Sequence, residues 1–271
     1  MHAPTQIPRG PLYPELLPAD SLATGRYQFT FARTAAQLQA ALRLRFEVFH
    51  DELGEGLAEN QRAGLDVDAF DRQFHHLLAV HCETGDVVGC YRLQTAAQAA
   101  GGGFGWYAAT EFDLRGLGVQ FLDEAIEIGR ACLAPAHRCA EALLQLWNGL
   151  AAYARHNHKR HLFGCSSLHS SDAAAAHAAI DALQRQGAFE ATRRVQPLPH
   201  CRLGNGSSQR AAAAAPAAVP PLLAAYLRLG AKVRGEPAVD RAFGTIDFLT
   251  AIDLETMARR TARFVRPRLA S

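Results

Sequence analysis

The sequence predicts an α/β (α+β) fold: one mixed sheet flanked by helices, with a C-terminal extension. The early part alternates apolar and polar residues with a strand's period, as in Tyr27-Gln28-Phe29-Thr30-Phe31. Further on, apolar strand-like runs are separated by stretches of period near 3.6, a strand–helix–strand order. No repeat interrupts that order, and 271 residues with 49% hydrophobic and 20% charged residues suffice for a sizeable core.

Residues 1–25 read as an extended N-terminal arm, because Pro4, Pro8, Pro11, Pro14 and Pro18 break any helix. The folded domain is expected over 26–255 and a basic tail over 256–271. After the first strand, Tyr27–Ala32, Thr34 is a helix N-cap and the helix runs to about Leu53. An acidic loop, Gly64–Asp71, leads into a hairpin of Phe74–Cys82 and Val87–Thr95, turned by Glu83-Thr84-Gly85-Asp86. Gly101-Gly102-Gly103 is a flexible connection. The strand Ala125–Leu133 ends before Pro135, and a helix from about Cys139 to Asn157 feeds the buried strand His161–Leu168. Ser170 or Ser171 caps an Ala-rich helix, Asp172 to about Gln186, that stops at Gly187. Residues 204–221 are low in complexity and read as a surface loop. A short helix, Leu222–Leu229, and strands near Lys232 and at Thr245–Ile252 finish the order.

Several function classes are unsupported. A formal charge of +2 without basic blocks interleaved with aromatics gives no sign of nucleic-acid binding. Six cysteines include no C-x-x-C pair, so zinc-ribbon and thioredoxin readings fail and no metal is expected; the thiols read as reduced and the protein as cytoplasmic. The first 18 residues lack the apolar run of a signal peptide, and no stretch approaches the roughly 20 apolar residues of a membrane span.

Two anomalies point to chemistry. Leu38, Ala41, Leu42, Val48 and Phe49 mark a buried helical stripe, and Arg45 falls inside it. A guanidinium there needs acidic partners, which Asp66, Asp68 and Asp71 can supply, unless it snorkels to water. The second anomaly is Glu127 and Arg130 in the strand 125–133. Strict alternation puts Glu127 and Gly129 on one face, and Arg130 with Ile126 and Ile128 on the other. A carboxylate in a central strand suits a general base for an ammonium, or a structural ion pair with Arg92 or Arg45. Other residues rank lower. Of His75-His76, alternation turns one ring outward. Ser166, Ser167, Ser170 and Ser171 lack a nucleophile elbow. Asp240 and Asp247 have no assigned mechanism, and the Tyr226 hydroxyl is a candidate proton donor to a leaving group.

Four motifs over residues 44–130 carry a resemblance: Leu44-Arg45 with Val48-Phe49 and Leu53-Gly54; Asp66, Asp68 and Asp71; Gly89 with Tyr91-Arg92-Leu93; and Glu127 to Arg130. Together they resemble the acyl-homoserine-lactone autoinducer synthases and the ornithine N-acyltransferases of ornithine-lipid synthesis, the hemolysin-like branch of the GNAT superfamily. Leu146-Trp147-Asn148-Gly149, Tyr226 to Gly230, Gly235 to Asp240 and Phe243 to Phe248 resemble the lipid branch, and Glu55 stands where the synthases usually carry an aromatic.

The resemblance implies a GNAT-like acyltransferase that moves a 3-hydroxyacyl chain to the α-amine of ornithine, giving lyso-ornithine lipid. Glu127 is then the general base, with Arg130 beside it, and Arg45, Asp68, Asp71 and Arg92 surround the acceptor. The acyl-pantetheine is expected between the strands 125–133 and 161–168, near Leu133, Ser166 and Ser167. The coenzyme A fingerprint Gln/Arg-x-x-Gly-x-Gly/Ala is absent after Leu133. This favours acyl carrier protein over acyl-CoA as the donor, its phosphate met by His137 and Arg138 at the opening of the next helix. No tightly bound cofactor is implied. A lipid product implies transient contact with the inner membrane, for which the run Arg259, Arg260, Arg263, Arg266 and Arg268 is suited, as it is for an acidic carrier. The alternatives are an autoinducer synthase using S-adenosylmethionine and a non-catalytic carrier-binding module.

Overall fold

In the computed structural model, which describes residues 10–19, 25–54, 58–204 and 219–265, the elements follow the expected order. They begin with β1 (Tyr27–Phe31), α1 (Ala35–Arg45), β2 (His75–His81), β3 (Val87–Thr95) and α2 (Ala96–Gly101). Next come β4 (Phe112–Asp113), α3 (Val119–Asp123), β5 (Ala125–Leu133), α4 (Ala140–His156), β6 (His161–Leu168) and α5 (Ala173–Arg185). The chain finishes with β7 (Gln196–Pro197), α6 (Pro221–Leu229), β8 (Lys232–Val233), β9 (Ala238–Asp240), β10 (Thr245–Asp253) and α7 (Leu254–Val265). They fall into two units, residues 1–107 with 126–159 and residues 108–125 with 160–271.

In the first unit β1, β2, β3 and β5 form an antiparallel sheet in that order. Thr34 caps α1 as expected, in a reciprocal capping box with Gln37. α1 ends at Arg45, earlier than expected, and the chain continues to Glu52 as a wider π-helical turn. The apolar side of α1 (Leu38, Ala41, Leu42) packs on Leu78 of β2 and Cys90 of β3. Leu77 points the other way, to α4, where Gly149 leaves the room: a Cβ there would lie 2.3 Å from Leu77 Cδ1. His75 and His76 are both buried, against the expectation that one faces outward. Each finds a polar partner inside, His75 at the Leu12 carbonyl and His76 at that of Asp71, so neither ring needs water. In the arm, Pro14–Leu16 form a 3₁₀ turn, and the carbonyls of Glu15 and Leu16 accept from His156 and Asn157 at the end of α4.

A bulge in the β3–β5 ladder overturns one expectation. Cys90 pairs with Cys132 but Arg92 pairs with Gly129, so Arg130 and Ala131 together oppose Tyr91. Arg130 has φ 48°, a left-handed conformation that bulges accommodate. The extra residue breaks the alternation, and the Arg130 guanidinium reaches Asp66 and Asp68, the second of which also holds Arg92.

In the second unit β10 pairs antiparallel with β6, β8 and β9. Ala176, Ala179 and Leu183 of α5, one helical stripe, join Leu223, Val233, Ile246 and Phe248 in its core. The cap of α5 is Asp172, whose carboxylate accepts from Ala174 N–H at 3.0 Å, not Ser170 or Ser171; Ser170 instead accepts from Asp172 N–H. Among the described residues β4 and β7 pair with each other alone, and they are too short to show a period. Part of the expected basic tail is helical, forming α7 to Val265, while 266–271 lie outside the described residues, as do 205–218 of the expected loop and 1–9 and 20–24 of the arm. Among the described residues no helix is long and apolar enough to cross a membrane.

Candidate active site

The Arg45 side chain is fully buried, so it does not snorkel. Its Nε donates to Asp66 Oδ2 and its Nη1 to Asp71 Oδ1, both at 2.7 Å. Asp71 Oδ1 also accepts from Arg92 Nη1 at 3.2 Å, and Asp68 Oδ2 accepts from the same Arg92 nitrogen at 2.5 Å. Arg130 closes the group, 3.7 Å from Asp66 and 3.5 Å from Asp68. Three guanidiniums thus face three carboxylates and the charges cancel, the condition for burying them. Burial pushes Asp66 and Asp68 upward, but the guanidiniums beside them overcome that: Arg45 and Arg130 hold Asp66, and Arg92 and Arg130 hold Asp68, below the ordinary range. Asp68 and Asp71 are also held by the chain, as reciprocal caps of the 3₁₀ turn Ala69–Arg72. Arg92 Nε lacks a hydrogen-bond acceptor. The guanidinium lies instead over aromatic faces, 4.6 Å from the ring centre of Phe74 and 5.0 Å from that of Tyr107.

Glu127 is buried on β5 directly opposite Gln94 of β3. Its Oε2 accepts from Gln94 Nε2 at 2.5 Å and from the backbone N–H of Tyr107 at 2.9 Å. Gln94 is held in turn, its Oε1 accepting from Gln73 Nε2 at 2.6 Å and its Nε2 also donating to the Gly105 carbonyl. Such a carboxylate is fixed in orientation and can take a proton without rearranging. Gln73, Gln94 and Tyr107 were not expected from the sequence. Alternation along β3 does put Gln94 on the face of Arg92, but Tyr107 acts through its backbone and leaves no side-chain signal.

The remaining expected residues lie elsewhere. Leu133 closes β5, and its carbonyl accepts from Arg138 Nε at 3.2 Å. The next amide, Ala134 N–H, donates to Val88 at 2.8 Å and is committed to the sheet. α4 opens at Ala140 with Cys139 as its N-cap, later than expected, and Pro135–His137 form a separate 3₁₀ turn. His137 Nδ1 meets the Tyr27 hydroxyl at 2.9 Å. Arg138 is half-exposed and paired through both terminal nitrogens with Glu52, at 2.6 and 2.5 Å. Ser166 and Ser167 belong to the second unit, where they alternate on β6: Ser166 is buried, and Ser167 stands opposite Asp247 of β10.

The mixed sheet flanked by helices is that of an acyltransferase of the GNAT class. The acetyltransferase (GNAT) domain family matches residues 44–148. The chain belongs to the family of L-ornithine Nα-acyltransferases. It is 33% identical to the protein so named from Rhodobacter capsulatus over 254 residues, 90% of this chain and 96% of the relative. It is 32% identical to that from Brucella abortus, over 87% of each chain. Among solved structures, FeeM, an N-acyl amino acid synthase from uncultured soil microbes, shares the fold with a TM-score of 0.51 at 11% identity, over 89% of this chain and 97% of FeeM.

Proposed function

We propose that the enzyme transfers a 3-hydroxyacyl chain from the phosphopantetheine thioester of acyl carrier protein to the α-amine of ornithine, forming lyso-ornithine lipid. Ornithine as acceptor is supported by kinship along nearly the whole chain with enzymes named for that substrate. The buried Glu127, held by Gln94 and Tyr107 N–H, supports amine chemistry. Glu127 takes a proton from the α-ammonium, directly or through one water, and the freed amine attacks the thioester carbonyl. The C–N bond forms, the C–S bond breaks, and the pantetheine sulfur leaves as a thiol after gaining a proton. Arg130 and Asp68, on the more open side of the charge group at 12% side-chain exposure each, are the members assigned to meet the acceptor, with Arg130 for its α-carboxylate. Arg45, Asp71 and Arg92 brace them.

The donor assignment rests on the missing coenzyme A fingerprint and on Arg138. The Arg138–Glu52 pair is partly exposed and therefore weak, so a phosphate can displace Glu52. Leu133 and His137 border that position in sequence, and Ser166 and Ser167 are assigned to the acyl-pantetheine. Contact with the inner membrane from the cytoplasmic side belongs to the same proposal, since the product is a lipid.

The test is thiol release from 3-hydroxyacyl carrier protein by the purified protein, with amino acids screened as acceptors and products identified by mass. Acylated ornithine from the carrier-bound donor is the expected result. Transfer only from acyl-CoA overturns the donor assignment, and transfer only to another amine overturns the acceptor. Release of methylthioadenosine with S-adenosylmethionine would identify an autoinducer synthase instead.

A further inference from the structure

Glu127 ends a buried chain of amides whose direction is fixed at its other end. The chain starts at the backbone N–H of Phe104, which donates to Gln73 Oε1 at 3.1 Å. Gln73 Nε2 then donates to Gln94 Oε1 at 2.6 Å, and Gln94 Nε2 to Glu127 Oε2 at 2.5 Å. Both glutamine side chains are fully buried, so each must find its partners inside the protein. A backbone N–H can only donate and a carbonyl can only accept. The Gly105 carbonyl accepts from both amides, at 2.7 Å from Gln73 and 3.1 Å from Gln94. Phe104 N–H and Gly105 C=O thus leave each amide one orientation. Turned over, Gln94 would set its oxygen against the Gly105 carbonyl and the Glu127 carboxylate, and its nitrogen against that of Gln73.

Two glycines let the loop come this close. A Cβ on Gly102 would lie 2.5 Å from Gln73 Cβ and Oε1. Gly105 has φ 72°, a left-handed backbone that suits glycine. The same loop ends at Tyr107, whose N–H is the second donor to Glu127 Oε2, at 2.9 Å. A buried carboxyl favours its neutral form, which cannot serve as a base, unless donors face the charged one. Here two do, and the shorter bond comes from Gln94.

We propose that Gln94, oriented by Gln73, is a positioning residue for acyl transfer that keeps Glu127 charged and aimed before the acceptor arrives, an assignment that rests on the reading of Glu127 as the general base. Without Gln94, Glu127 Oε2 keeps the Tyr107 N–H but loses a charge-assisted hydrogen bond. Ionisation of the carboxyl then costs more, and the base is ready only at higher pH.

The experiment is the pH dependence of kcat/KM for ornithine, from about pH 5 to about pH 9, in wild type, Gln94→Met, Gln73→Met and Gln98→Met, with the melting temperature of each. Gln98 is the control. It is equally buried and donates to the Gln73 carbonyl at 2.8 Å, so its loss costs stability without removing a donor from Glu127. In Gln94→Met the fall of kcat/KM on the acid side is expected to move up by about one pH unit or more. Near pH 7 kcat/KM then drops about tenfold, with KM for the acyl donor unchanged. Gln73→Met moves the acid side in the same direction by less, because Gly105 still orients Gln94, and it stands in where Gln94→Met does not fold. Gln98→Met melts lower but keeps the wild-type acid side. A wild-type acid side in Gln94→Met, or in Gln73→Met where it stands in, overturns the proposal. So does an equal shift in Gln98→Met, which would make the effect a general loss of packing. If Glu127→Gln is inactive while Gln94→Met keeps the wild-type profile, only this inference fails. If Glu127→Gln is as active as wild type, the reading of Glu127 as the base fails, and this inference with it.

Discussion

Asp71 binds Arg45 and Arg92 at once: its Oδ1 accepts from Arg45 Nη1 at 2.7 Å and from Arg92 Nη1 at 3.2 Å. One carboxylate therefore ties the end of α1 to the middle of β3. Its Oδ2 also accepts the Asp68 N–H at 2.8 Å. Asp71→Asn keeps the shape but leaves two buried guanidiniums short of one negative charge. The expected loss is about 3–5 kcal/mol, read from urea unfolding.

Arg130→Lys preserves the charge but not the reach. The guanidinium lies between Asp66 and Asp68, and an ammonium on the same bulge is a single point of contact. A drop in kcat/KM for the acceptor of about 10²-fold is expected, with thermal stability falling less than in Asp71→Asn. Unchanged kcat/KM would remove Arg130 from the acceptor's surroundings.

Glu127→Gln retains a side chain for the Gln94 and Tyr107 donors but cannot accept a proton. Acyl transfer should fall by about 10²–10⁴-fold, while circular dichroism and carrier binding match the wild type. Full activity in the variant would require another base.

Acid should destabilise the first unit in two stages. Burial holds His75 and His76 at about 4, against 6.5 for a free ring. Between pH 6.5 and 4 the unfolded chain binds more protons than the folded one, so stability present above pH 6.5 is lost as pH falls toward 4. Asp66 and Asp68, depressed by their guanidiniums, add a second loss below about pH 4. Urea midpoints measured from pH 8 down to about pH 2 check both stages. The slope of stability with pH between 6.5 and 4 should fall by about one proton in His75→Gln.

Glu111, buried just before β4 beside Asp247 of β10 and Cys165 of β6, gives the opposite sign. Burial and then Asp247 raise its folded-state value to about 10, above the unfolded one, so the stability it contributes is complete at low pH and is lost as pH rises from about 4 toward 10. Glutamine cannot ionise and has no such loss. Glu111→Gln is therefore expected to be more stable than wild type at pH 8, by on the order of 1–3 kcal/mol, the advantage vanishing near pH 4. No advantage at pH 8 would mean that a counter-charge already compensates Glu111.

The sequence alone determined the order of the main strands and helices, because periodicity and caps act locally: Thr34 does cap α1, and Val87–Thr95 is a strand. It also offered Asp66, Asp68 and Asp71 as partners for Arg45 beside a route to water, and the fold decided for the carboxylates by burying the guanidinium. Tertiary structure decided the side on which Arg130 works. A bulge is a mismatch between two paired strands, and β5 read by itself shows only alternation. It likewise decided that His75 and His76 are both buried, with the Leu12 carbonyl reaching His75 from the arm and the Asp71 carbonyl meeting His76. The Glu111, Cys165 and Asp247 group lies furthest from sequence reading. Its members are 54 or more residues apart in pairs such as Cys165 and Glu111, so only the register of β6 against β10 and the packing of Glu111 upon it bring the carboxyls together.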